Sequence, residues 1–233
     1  MDKLRADRVA DPYGMVKHME KRRCVIIAGA PEAYIAGLLP SDFIIACDYG
    51  LRHALNNNIA PHLIIGDFDS YSGEIPFGIS VIRTPAEKDD TDMMLAVKHA
   101  INMGFSDFLL LGATGGRIDH YLANLAAAGF IAENGGFCET RDKNARILTF
   151  GNGTLDIPKR DGCILSVFPF SGECRGVTLE GVKYPLKNAA LNPFDPVGVS
   201  NEFTADCAKI TVKKGVLTVI LINSSIYGFT FSM

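Results

Sequence analysis

The 233-residue sequence has no tryptophan, and its six cysteines (Cys24, Cys47, Cys138, Cys163, Cys174 and Cys207) include no C-x-x-C pair. Lacking that spacing, the thiols are not a zinc site or a disulfide framework and read as small core hydrophobes in a reducing compartment. No apolar run is long enough to span a membrane, and the N-terminus has no signal-type apolar core. A cytoplasmic protein with no membrane partner is expected. Charge of one sign is also scarce. With 23 Lys and Arg against 26 Asp and Glu, the net charge is -3, so no general basic field recruits nucleic acid. A small basic pocket for an anionic ligand is still allowed.

Core material is plentiful. At 48% hydrophobic and 21% charged residues, the chain can build one large domain or two modest ones. Its most informative stretch is Ile64-Ile65-Gly66-Asp67-Phe68-Asp69-Ser70. The apolar run from Leu63 to Ile65 reads as a buried strand that Gly66 ends. Asp67 and Asp69 follow at i and i+2, so in an extended backbone both carboxylates point to one side. Crowding two negative charges at a strand end is unfavourable unless a cation offsets it, and Mg²⁺ accepts paired carboxylates alongside waters and phosphates. Taken alone, a D-x-D fits a solvated turn equally well.

The segments before and after this stretch alternate strand and helix. Cys24 to Gly29 and Phe43 to Cys47 are apolar strands, with a helix expected from about Glu32 to Leu39 between them. Leu51, Ala54 and Leu55 give a short amphipathic helix, and Val81 to Arg83 a fourth short strand. His53 and His62 read as surface or boundary residues. The run Glu87-Lys88-Asp89-Asp90-Thr91-Asp92 opens a helix whose apolar face includes Met94, Leu95, Val97 and Ile101. One N-cap needs a single Asp or Thr, whereas Asp89 and Asp92, three apart, bring two carboxylates to one side of the first turn.

A strand over Asp107 to Leu111 leads into Gly112-Ala113-Thr114-Gly115-Gly116-Arg117-Ile118-Asp119-His120 and then a helix through Phe130. A glycine-rich turn at a helix start presents backbone N–H groups to an anion, and Arg117 adds a forked donor suited to phosphate. No Gly-Lys-Ser/Thr follows at the spacing of a Walker A loop. His120 is a candidate proton shuttle or an ordinary hydrogen-bonded histidine.

Helical spacing disappears from Arg146 onward. Short alternating runs replace it (Arg146 to Phe150, Thr154 to Ile157, Cys163 to Phe168, Val177 to Leu179, Lys209 to Val212, Val216 to Ile222), broken at Gly151-Asn152-Gly153, Ser171-Gly172 and Lys214-Gly215 as at turns. The expected architecture is an N-terminal α/β unit with a mostly parallel sheet and flanking helices, followed by an all-β sandwich or flattened barrel. The divisions are a 1–23 extension ending in a basic helix, a catalytic unit at 24–144, and a β unit at 145–233. Acidic and glycine-rich turns fall at the carboxyl ends of the first unit's strands, where open α/β sheets bind ligands.

Asp48-Tyr49-Gly50, Gly66-Asp67-Phe68-Asp69-Ser70, Asp89-Asp90-Thr91-Asp92 and the glycine-rich run from Gly112 to His120 together resemble the ordered motifs of the thiamin pyrophosphokinase (thiamine diphosphokinase) family. Gly181 to Leu186 and Gly198-Val199-Ser200-Asn201-Glu202-Phe203 continue the resemblance into the second unit. It implies transfer of the terminal diphosphate of ATP to the thiamine hydroxyl, giving thiamine diphosphate and AMP, with Mg²⁺, by a homodimer whose thiamine site lies at the subunit contact. By similarity, Asp67, Asp69 and Asp92 hold the metal, with Asp48 and Asp89 supporting. Thr91, Thr114, Gly115, Gly116, Arg117 and Asp119 hold the nucleotide, and Lys88, Ser200, Asn201 and Phe203 meet substrate. Some relatives have Trp at the Phe203 position, so here Phe203 or a tyrosine must supply any ring stacking. Asp89 and Asp119 are the candidate bases for the hydroxyl. Two other readings compete: a D-x-D nucleotide-sugar transferase and a non-catalytic nucleotide or thiamine sensor.

Overall fold

Four consecutive residues with no exposed surface, Cys24–Ile27 (β1), form the centre of the sheet. Such a strand needs cover on both faces, and fully burying each Val or Ile contributes ~1.5–3 kcal/mol. The computed structural model describes residues 22–67, 73, 75–85, 87, 89–170 and 172–223. The expected basic helix of the N-terminal extension, Asp69 and Lys88 lie outside them.

On one side β1 pairs in parallel with Phe43–Cys47 (β2), then Leu63–Gly66 (β3) and Ser80–Arg83 (β4). On the other side it pairs in parallel with Asp107–Leu111 (β5) and then Phe137–Arg141 (β6). The strand order therefore reverses between β1 and β5, and a crevice opens at their carboxyl ends. Helices cover both faces. Asp92–Asn102 (α2) buries Met93, Ala96, Val97 and Ala100 at helical spacing against Cys24, Ile26 and Phe108, and Ile118–Glu133 (α3) adds Ala127, Ala128 and Ile131. Gly50–Asn56 (α1) packs Ala54 against Val25, Ile27, Leu109 and Leu111 on the opposite face.

The helix expected over Glu32 to Leu39 does not form. Long-range bonds hold the segment on another path: Arg141 Nη1 donates to Ala36 O at 3.0 Å and Arg23 Nη2 to Gly37 O at 2.7 Å. Gly37 also adopts φ +81°. The segment runs as an irregular strap, with Ile35 and Leu38 packed on the α1 face.

Ala145–Pro158 (β7) pairs antiparallel with β6, so one sheet continues past Asn144 into the strand-rich part. The remaining strands are Cys163–Pro169 (β8), Cys174–Glu180 (β9), Leu186–Leu191 (β10), Asn201–Glu202 (β11) and Cys207–Asn223 (β12). Two expected turns are not turns. Gly151-Asn152-Gly153 lies within β7 and Lys214-Gly215 within β12, at facing positions where the register shifts between Val212 and Val216. The extra residues form a bulge that bends the pair. Beyond it β12 exchanges its second neighbour, β8 beside Leu217–Asn223 and β9 beside Lys209–Lys214. Side chains from both halves, among them Leu148, Leu217, Ile210 and Leu179, share one core.

Candidate active site

A cleft of about 380 Å³ opens at the carboxyl ends of β1, β2 and β5. Its walls are Ala28 to Pro31 after β1, Cys47 to Tyr49 after β2, Thr91 to Met93 at the start of α2, and Gly112, Gly115, Arg117, His120, Ala123 and Asn124 from the turn after β5 and from α3. Gly112 makes the crevice possible. It has φ +60°, and a Cβ there would sit 2.5 Å from Ala28 O, so a larger residue would force β1 and β5 apart.

Three of the predicted carboxylates gather around Gly66. Asp48 ends β2 with φ +43°, and its amide donates to Ile65 O at 3.1 Å. Its carboxylate lies over Gly66, where an added Cβ would fall 1.8 Å from Asp48 Oδ1. Asp67 is the next residue along the chain. From the other side, Thr84 donates its amide to Gly66 O at 3.1 Å and its hydroxyl to Asp92 Oδ1 at 3.1 Å. Cys47 Sγ reaches Asp92 O at 3.6 Å, tying the first turn of α2 to β2. Among the described residues no group of three or more His, Cys, Asp or Glu closes into a metal cage. The aspartates bring oxygen donors only, a chemistry that fits a hard cation keeping several of its waters, as Mg²⁺ does.

Asp89 is exposed, and Asp90 pairs with Lys98 at 2.6 Å. The Thr91 hydroxyl caps α2, accepting from Met94 N at 3.2 Å. Opposite them, Gly115 and Gly116 have φ +80° and +67°, and α3 begins with no side-chain cap. Of its first amides that of His120 is taken by Asp119 Oδ1 at 3.0 Å, which leaves those of Ile118 and Asp119 for an anion. Arg117 is exposed and forked onto Asp119, with Nε at 3.1 Å and Nη2 at 2.6 Å. That hydrogen bond holds the Asp119 carboxyl down at about 2, with the His120 amide adding to it. Such an acid is a weak proton acceptor at neutral pH, which weighs against Asp119 as the base. Thr114 stands off the cleft wall and donates its hydroxyl to Asp142 Oδ2 at 2.6 Å, linking the glycine turn to the β6–β7 connection.

In the strand-rich part, Ser200 is exposed with φ +58° and donates its amide to Ser166 Oγ at 3.0 Å. Asn201 is 2% exposed. Its amide donates to Tyr184 O at 2.9 Å, and its carbonyl oxygen accepts from Tyr184 N at 2.9 Å and Glu202 N at 3.0 Å. Phe203 packs against the β core. Sequence reasoning assigned no role to Tyr49, Thr84, Asn124 or Asp142. Asn124 supports the turn by donating to Ala113 O at 2.8 Å. Tyr49 lies inside the Asp48-Tyr49-Gly50 motif but its residue type gave no role; the other three stand in no motif-like spacing, and only the folded backbone brings them together.

The thiamin pyrophosphokinase catalytic domain matches residues 38–133, and the thiamin pyrophosphokinase vitamin B1 binding domain matches residues 153–217. Thiamine pyrophosphokinase of Bacillus subtilis is 31% identical over 205 residues, covering 84% of this chain and 96% of that one. The chain belongs to the thiamin pyrophosphokinase family. Its fold agrees. The crystal structure of thiamine pyrophosphokinase from Bacillus subtilis superposes with a TM-score of 0.78 at 28% identity, covering 87% of this chain and 99% of that one. A thiamin pyrophosphokinase family protein from Enterococcus faecalis gives 0.71 at 30% identity, covering 86% and 98%. The resemblance carried by the ordered motifs is thus borne out, and with it the enzyme class. The nucleotide-sugar transferase and sensor readings lose their ground. No helix among the described residues is long and apolar enough to cross a membrane.

Proposed function

We propose that the protein transfers the terminal diphosphate of ATP to the hydroxyl of thiamine, releasing AMP, with Mg²⁺ held by Asp67, Asp69 and Asp92. The observation that carries this reading is that Asp48 and Asp92 face the same cleft as Gly115 and Arg117. Acidic and phosphate-cradling elements from distant parts of the chain thus share one crevice. We assign the catalytic unit to residues 24–144 and the thiamine-binding unit to residues 145–233, and we propose a homodimer.

In this reading the thiamine oxygen forms a bond to the β-phosphorus as the bond from that phosphorus to the oxygen retained by AMP breaks. The hydroxyl proton passes to a carboxylate, with Asp89 the candidate, or to water. A bound Mg²⁺ supplies charge neutralisation across the phosphate oxygens. The chain itself aligns and stabilises. The Gly115 and Gly116 amides and those of Ile118 and Asp119 at the start of α3 receive phosphate oxygens, and the Arg117 fork neutralises charge at the transferring group. Arg117 is already paired with Asp119, so its guanidinium is held over the cleft before substrate arrives. Thr91 fixes the first turn of α2 and so the height of Asp92, with Asp48 and Asp89 as supporting carboxylates. Ser200, Asn201 and Phe203 belong to the thiamine-binding face, Asn201 through the loop it braces.

Incubation with ATP, Mg²⁺ and thiamine tests the reading. AMP and thiamine diphosphate are expected in equal amounts, and ADP as the product would refute it. Asp92→Asn is expected to abolish turnover with an unchanged circular dichroism spectrum. Full activity in that variant would dismiss the metal assignment.

A further inference from the structure

Among the described residues the cleft wall carries one aromatic side chain larger than imidazole, Tyr49, and nothing above gives it a task. Its ring is held in place. Arg52 Nη1 donates to the Tyr49 hydroxyl at 2.8 Å, with the guanidinium carbon 5.3 Å from the ring centre. His53 meets the ring edge-on, at 5.3 Å between centroids and 76° between planes. His53 is itself anchored, with Nε2 at 2.8 Å from Ala30 O. The neighbouring wall makes room for the ring, because a Cβ on Gly29 would lie 2.8 Å from Tyr49 Cβ. An aromatic side chain fixed on several sides and half-buried in a cleft loses little entropy on receiving a ligand ring.

We propose that Tyr49 is the stacking platform for the adenine ring of the nucleotide donor, with Arg52 locking its orientation. This inference rests on the proposed reaction and names a residue for it. Several observations favour adenine over the rings of thiamine. The vitamin B1 binding domain matches residues 153–217, in the other part of the chain. The Arg52 guanidinium at the hydroxyl end of Tyr49 disfavours the cationic thiazolium and tolerates a neutral purine. Ala28, Ala30, Met93 and Ala123 line the same cleft with apolar surface, as a flat base needs, while Gly115 and Arg117 stand ready for its phosphates. Stacking tolerates Phe in place of Tyr and does not tolerate an aliphatic side chain of similar bulk.

The test is calorimetric binding of AMP and, separately, of inorganic tripolyphosphate to the full chain and to Tyr49→Ala, Tyr49→Leu and Tyr49→Phe. Loss of one base–aromatic stack is expected to weaken AMP binding roughly ten- to hundredfold in the Ala and Leu variants. Tyr49→Phe should stay within about threefold of the parent, and tripolyphosphate affinity should change less than about twofold throughout. Unchanged AMP affinity in Tyr49→Ala and Tyr49→Leu would overturn the assignment. So would a parallel fall in tripolyphosphate affinity, or a loss confined to thiamine binding. If the parent chain forms AMP and thiamine diphosphate while these variants bind AMP normally, the platform is wrong and the reaction stands. A parent chain that forms no AMP removes both.

Discussion

Thr84 donates its hydroxyl to Asp92 Oδ1 at 3.1 Å while its own amide is bound to Gly66 O at 3.1 Å. One side chain thus sets the first turn of α2 against the end of β3. Partners that orient a metal-side carboxylate typically matter 10–100-fold in metal affinity or activity. Thr84→Val keeps the shape and removes the donor. It is expected to raise the Mg²⁺ concentration needed for half-maximal AMP formation by roughly tenfold or more, with secondary structure unchanged. A Mg²⁺ titration identical to that of the parent chain would show that Thr84 orients nothing.

Asn201 invites a measurement of stability beside one of affinity. Its buried amide makes three hydrogen bonds, two that join Asn201 to the backbone of Tyr184 and one from the Glu202 amide. Truncation removes these three part-buried hydrogen bonds, at a cost of ~0.5–1.5 kcal/mol each. Asn201→Ala should therefore lower the urea midpoint by the equivalent of about 2–3 kcal/mol. Weakened thiamine binding should accompany it through disorder of the braced loop. A variant as stable as the parent, with thiamine binding lost, would make Asn201 a direct ligand contact and not a brace.

Much of the α/β unit was legible because its strands are uninterrupted apolar runs and its helices keep their period. Cys24–Ile27, Asp107–Leu111 and the presence of α2 follow from pattern alone, but the α2 face is rotated from the expected one: Met93 and Ala96 are buried with Val97 and Ala100, while Met94, Leu95 and Ile101 are only partly buried. The two larger failures share one cause, long-range bonding that local sequence does not encode. The segment from Glu32 to Leu39 has helical composition, yet Gly37 turns to φ +81° and Arg23 and Arg141, from distant positions, hold the path at the Gly37 and Ala36 carbonyls. Gly151-Asn152-Gly153 has turn chemistry, yet it faces Lys213 to Gly215 across a long strand pair and becomes part of a bulge. At the cleft, spacing singled out Asp67 and Asp92 as candidates and the family resemblance added Asp48. Their supports, Thr84 for Asp92 and Gly66 for Asp48, could not be named this way, because each acts across strands.

Glu139 gives the protein an acid-sensitive component. Burial pushes its carboxyl upward, but hydrogen bonds from Arg146 at 2.6 Å and Arg141 at 2.6 Å outweigh it and hold the group at about 2, against an ordinary 4.5. The folded pKa is depressed, so this contribution is fully present above about pH 4.5. As pH falls from there toward about 2, the unfolded chain takes up a proton that the folded chain does not, and the contribution is lost. Its size is on the order of 2–3 kcal/mol. Urea unfolding across this range should show a falling midpoint, and Glu139→Gln should flatten that fall while lowering stability at neutral pH. Equal slopes for the two proteins would contradict the assignment.

Gly66→Ala isolates the closest approach in the site. The backbone at Gly66 is an ordinary strand end, so alanine meets no local penalty; the obstacle is Asp48, whose Oδ1 and Cγ would lie 1.8 and 2.7 Å from the new methyl. Asp48 has φ +43° and its amide is tied to Ile65 O, so its carboxylate, not its backbone, must yield. A displacement of about 1 Å at reacting groups can cost roughly 10²-fold in rate, and a loss of that order in AMP formation is expected. The double variant decides the cause. With Asp48→Ala only the residue 48 backbone nitrogen, at 3.2 Å, still crowds the methyl, and adding Gly66→Ala should cost little more than Asp48→Ala alone, because the two changes remove the same placement. Fully additive losses would mean that the methyl disturbs β3 itself, and that the carboxylate over Gly66 is not what sets the rate.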